Sequence, residues 1–292
     1  MRKAMIKAVG DMIKNEIDTS LFLVDIGVWA FRDILRDFPD RAMNIGIFED
    51  GMVSLAAGMS LGGIIPTIYG ISPFIVNRAM EQLKLDFAYQ KLQGNFITTG
   101  ASYDFSTLGY SHYCSEDIGT ISMIPGFEFI SPGTASEFTK LFSETRRDGN
   151  PTYYRLSDHV NNTETDVEFG KATVIKTGSE ATVIAVSTTL DMVMEECSDK
   201  DVSILYYTTL IPFDRQTLRE HYNGGKILLC EPHYEGTLSY EVYKTFEDKP
   251  VQLSCVGVNR EILRKYGTKA ENDVYNGLSA DNIYHALSTL LK

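Results

Sequence analysis

The chain has 292 residues, with 39 acidic and 27 basic side chains and a formal charge of −12. That length holds two ordinary domains, and a hydrophobic share of 43% suits full-sized cores. The acidic balance excludes nucleic acid and an anionic membrane surface as partners, since both select clustered Lys and Arg.

The first run, MRKAMIKAVGDMIKNEID, places apolar and charged residues at helical spacing and lacks the continuous apolar stretch of a signal peptide. Ser20 to Ile26 reads as a buried strand, Val28 to Phe38 as a helix, and Ala42 to Phe48 as a short strand. Glu49 to Leu61 is helical, with Ala and Met spaced for close packing. A strand over Ile64 to Tyr69 then leads into one long helix over Phe74 to Leu92. Asn95 to Thr99, Phe127 to Ile130 and Thr152 to Leu156 complete the strands of the first half. Ser157 to Gly170 is polar and without periodicity, and reads as a linker. Beyond it come strands over Ala181 to Ser187, Val202 to Tyr207, Lys226 to Glu231 and Val251 to Val258, and a last helix from about Ala280 to Leu291. This alternation predicts an α/β protein of two mostly parallel-sheet domains, residues 1–160 and 170–292. No stretch approaches the ~20 apolar residues of a membrane span. Cys114, Cys197, Cys230 and Cys255 lie far apart and read as reduced thiols, which points to the cytoplasm.

One stretch, NIGIFEDGMVSLAAGMSLGG (Asn44 to Gly63), resembles the pyrimidine-domain motif of the transketolase superfamily. Gly46, Ile47, Glu49, Met52, Ala56 and Gly58 fit its pattern. LGYSHYCSEDIG (Leu108 to Gly119) is similar to a second family motif, with Ser111 in the place of a Thr. RAMEQLKLDFAYQKL resembles a helix of deoxyxylulose phosphate synthases, and NPTYYRL the strand that closes the domain. ILYYTTLIPFDRQTL and ILLCEPHYEGTL are similar to segments of the family's C-terminal domain. The resemblance covers nearly the whole chain, and it implies a thiamine diphosphate pyrimidine-binding domain followed by a transketolase C-terminal-like domain. In the family the diphosphate and Mg2+ sit on a separate domain with a G-D-G…N motif, which this sequence lacks. The expectation is therefore a split enzyme: an N-terminal diphosphate-binding subunit as partner, in an α2β2 heterotetramer.

The resemblance also implies the chemistry. A carboxylic acid hydrogen-bonded to the pyrimidine N1′ drives that ring into its imino tautomer, as an acid/base in a poorly solvated pocket. Glu49 is the candidate, where an apolar strand ends and a helix begins, the edge at which parallel sheets bind ligands. By itself the position is equally explained by a helix N-terminus, which stabilises negative charge by ~0.3–1 kcal/mol. His112, in the loop LGYSH, is the candidate for contact with a substrate oxygen or proton transfer, with Ser111 beside it. Phe74 or Ile75 would carry the pyrimidine ring. Asp25 corresponds to a family Asp near the cofactor, although capping of the next helix explains it as well.

The departures concern phosphate. An Arg of the family is Asp158 here, a His is Gly100, a synthase Arg is Ala101, and a hydroxyl-reading Asp is Leu108. Arg155 and Asp158 remain as substrate candidates. The expected activity is transfer of a two-carbon ketol or acyl unit, not on the family's usual sugar phosphates. The alternatives are a 2-oxoacid dehydrogenase or decarboxylase β subunit and a non-catalytic regulatory paralogue.

Overall fold

A computed structural model describes residues 1–292. The first half carries β1 (Thr19–Leu23), β2 (Ala42–Asn44), β3 (Ile65–Ile71), β4 (Gly94–Thr99), β5 (Glu128–Ile130) and β6 (Pro151–Leu156). The second carries β7 (Thr173–Lys176), β8 (Ala181–Val186), β9 (Val202–Tyr207), β10 (Thr209–Ile211), β11 (Lys226–Tyr234) and β12 (Gln252–Val258). A seven-stranded sheet has the order β10-β5-β6-β4-β3-β1-β2, and a five-stranded sheet the order β12-β11-β8-β9-β7. Only the pairings β10–β5 and β7–β9 are antiparallel. The fold is thus α/β with two mostly parallel sheets. The central strands β1, β4, β6, β8 and β9 are buried at every position, as sheets covered by helices on both faces require.

β10 lies in the second half of the sequence but joins the first sheet, on β5. The two main apolar clusters, of 38 and 30 buried residues, both draw on each half. The segment after β6 carries no helix or strand, and it is tied down at Asn161. The Asn161 N–H donates to the Gly133 carbonyl at 3.0 Å, and its Nδ2 to the Ser187 carbonyl at 2.9 Å.

Several elements differ from their sequence reading. The strand expected to Phe48 pairs only to Asn44, because the chain turns at Gly46, with φ +83°. The helix expected over Phe74 to Leu92 is not a continuous α-helix. It is π-wound over Phe74–Arg78 and Leu83–Ala88, with a short α-turn between. Ile75, Ala79, Leu83 and Phe87 are all buried. Such a four-residue repeat drifts off one face at 3.6 residues per turn, and wider winding keeps it aligned. The helix Ala135–Thr145 escaped the sequence reading. A capping box of Thr134 and Glu137 starts it, and Glu137 also accepts from the Tyr206 hydroxyl on β9 at 2.9 Å.

Candidate active site

Glu49 begins the helix Glu49–Leu61 at the carboxyl edge of the first sheet. Its side chain is only 2% exposed, and its Oε2 accepts from the Arg78 guanidinium. Arg78 closes the π-turn that Phe74 opens, so the two are four positions apart and share a face. The guanidinium lies over the Phe74 ring, 4.6 Å from its centroid. His112 makes a T-shaped contact with the same ring, with centroids 5.1 Å apart, and Phe105 flanks His112 at 6.3 Å. The Ser111 hydroxyl is 2.9 Å from His112 Nδ1, which leaves Nε2 for a ligand. Burial pulls the His112 imidazole below its ordinary range and favours the neutral ring.

The structure therefore brings Glu49, Phe74, Ser111 and His112 into one group. It adds Arg78 and Phe105, which the sequence reading did not single out. The four-residue spacing from Phe74 was the available signal for Arg78. For Phe105 there was none, because its place depends on Gly100. At φ +90°, a Cβ on Gly100 would stand 2.7 Å from the Phe105 ring.

Ile75 is fully buried and fills the space over Gly70, where a Cβ would meet it at 2.7 Å. It belongs to the core, whereas the half-buried Phe74 carries the contacts with Arg78 and His112. Arg155 also lies inside, 2% exposed. Its Nε donates to Asp117 at 2.8 Å, and one terminal nitrogen to the Ser102 hydroxyl at 2.7 Å. The Arg155 fork, expected from the sequence to be a substrate candidate, is engaged in the interior in this structure, and both faces of β6 are covered. Burial raises the Asp117 carboxyl, against the pull of Arg155.

Asp25 is exposed at the end of β1 and exchanges hydrogen bonds with Asn44, at 3.0 and 2.7 Å. Asp158 is exposed after β6, and its N–H donates to Asp104 at 3.0 Å. Its carboxyl is partly covered by neighbouring atoms, and that partial desolvation, with the Asp104 charge, raises it. Neither hydrogen-bonds any member of the Glu49 group. The rim near Glu49 is apolar and open, with Ile47 71% and Phe48 55% exposed. No three His, Cys, Asp or Glu side chains are arranged to hold a metal ion. No helix is long and apolar enough to cross a membrane.

A fold with this sheet order, and a buried acid at a strand-to-helix edge, defines a class of α/β enzyme domain. Residues 6–160 match the family described as the transketolase pyrimidine-binding domain, and the chain belongs to the transketolase family. An uncharacterized 33.6 kDa protein in the fasciation locus of Rhodococcoides fascians is 33% identical, over 97% of this chain and 94% of that one. One of the subunits of the apulose-4-phosphate transketolase of Actinobacillus succinogenes is 24% identical, over 96% and 94%. A solved split-gene transketolase, described as an inactive beta4 tetramer, superposes with a TM-score of 0.87 at 24% identity, covering 99% of this chain and 97% of that one.

Proposed function

We propose that this chain is the β-type component of a cytoplasmic, thiamine diphosphate-dependent transketolase-like enzyme. It transfers a two-carbon ketol or acyl unit and is active only with a partner subunit, in an α2β2 complex. The observation that carries this reading is the buried Glu49 carboxylate grouped with the Phe74 ring and a neutral-leaning His112. These residues fit the aminopyrimidine end of the cofactor: an acid in a dry position, a flat ring to stack on, and an apolar rim. When bound, the cofactor supplies the nucleophilic carbon that takes up the transferred unit.

This chain's residues have separate tasks. Glu49 shares a proton with the pyrimidine N1′, in a pocket where water does not compete. Phe74 orients the ring. His112, held at Nδ1 by Ser111, presents Nε2 to a substrate oxygen and can move a proton there. The diphosphate and Mg2+ fall to the partner, because the G-D-G…N motif is missing from this sequence. The Actinobacillus succinogenes relative is of similar size and is itself named as one subunit of a transketolase, which supports that division. The apulose 4-phosphate in its name supports a sugar other than the usual donors.

The test is Glu49→Gln in the assembled complex, read by hydrogen–deuterium exchange at the thiazolium carbon. Loss of the acid/base group slows exchange by about 10²–10⁴-fold, with folding and assembly intact. An unchanged rate removes Glu49 from the mechanism.

A further inference from the structure

Arg78 is the one cation on the Glu49 carboxylate, and it is held by two contacts at once. Its guanidinium donates to Glu49 and lies over the Phe74 ring, a cation–π contact 4.6 Å from the centroid. An aminopyrimidine seated here needs the same two contacts, an N–H···carboxylate bond and a face on Phe74. We infer that Arg78 is an internal occupant of the pyrimidine seat, a plug that the cofactor must displace. This rests on the cofactor reading given above.

The physical logic begins with Glu49. A carboxylate that is 2% exposed is costly to leave without a partner. In a chain awaiting its cofactor, Arg78 supplies that partner. The Arg78 side chain is itself 44% exposed, so it sits at the mouth of the seat and can leave it. It has somewhere to go. A surface recess of about 510 Å³ lies alongside, lined by Asn77, Arg78, Met80, Glu81, Lys84 and Leu85. Glu81, three residues on, is exposed and forms no ion pair in this structure, so it is free to receive the displaced guanidinium. Arg78 thus has two positions, one on Glu49 and one on Glu81, and the cofactor binds only the second. Apparent affinity is then reduced by the fraction of molecules in which the seat is open.

The experiment titrates thiamine diphosphate, with Mg2+ present, into the partner-assembled complex by calorimetry. Arg78→Ala opens the seat and should tighten Kd by about tenfold or more. Arg78→Lys keeps a charge beside Glu49 but loses the flat fork, so it should fold as the wild type does and tighten Kd by less. Glu81→Gln removes the alternative partner and should weaken binding. Thermal melting without cofactor gives an independent reading, since Arg78→Ala should melt lower and Arg78→Lys should not. If Arg78→Ala and Arg78→Lys bind equally or more weakly while Glu49→Gln still weakens binding, the plug is refuted and the cofactor reading stands. If Glu49→Gln changes neither Kd nor the exchange rate, the cofactor reading fails and takes the plug with it.

Discussion

Replacing Arg155 with Met strands the Asp117 carboxylate in the interior. Asp117 is fully buried and Arg155 is 2% exposed. The substitution removes charge-assisted bonds of 2.8 Å to Asp117 and 2.7 Å to Ser102, each worth about 1.5–3 kcal/mol. Met keeps some of the packing, so the expected loss is about 3–5 kcal/mol, the usual cost of breaking a buried pair. Against a total stability of about 5–15 kcal/mol, that is a large fraction. The assay is urea unfolding of the chain. With a slope near 3 kcal/mol per molar, the midpoint falls by roughly 1–1.7 M. Pairing Arg155→Met with Asp117→Leu should recover most of the loss, because two matched apolar groups replace a costly pair. An unchanged midpoint, with a raised KM for a phosphorylated substrate, would show that Arg155 faces the substrate after all.

The second prediction concerns pH. Burial pushes Glu231 up to about 8, so between its ordinary range near 4.5 and pH 8 the folded chain holds a proton that the unfolded chain has lost. Stability from this group therefore falls as pH rises through that window. Burial, with Arg155 nearby, pushes His233 down to about 3, so its contribution is lost as pH falls below 6.5. Melts from pH 5 to 8 should show the alkaline decline shrinking in Glu231→Gln, and an identical profile refutes this. The third concerns substrate: the complex should turn over xylulose 5-phosphate and glyceraldehyde 3-phosphate poorly. Asp158→Arg should improve their specificity constants by roughly one to two decades, and highest specificity for them in the unaltered enzyme contradicts the reasoning.

The sheets were legible because runs such as LFLV and ATVIAV are rich in apolar and β-branched residues, and the helix from Glu49 to Leu61 has the predicted bounds. What escaped depends on tertiary contact. β7 and β10 are short edge strands, and Thr209–Ile211 has no pattern apart from its pairing with β5. At the site, Glu49 and His112 could each be named from local sequence. Their meeting across Phe74 could not be read, because it needs the π-turn to present that ring. The burial of Arg155 could not be read, because a strand buried on both faces shows no alternation to tell inside from outside.

β10 has a consequence for anyone dividing the chain. A fragment ending near residue 160 would lose the strand that covers β5, leaving an open row of backbone donors and acceptors at the sheet margin. Such a margin invites strands from neighbouring molecules. It would also tear both apolar clusters, since each takes residues from either side of the cut. The pyrimidine-binding half is therefore sewn shut by its successor in the sequence, and a soluble fragment needs Thr209–Ile211 supplied back, in cis or as an added peptide.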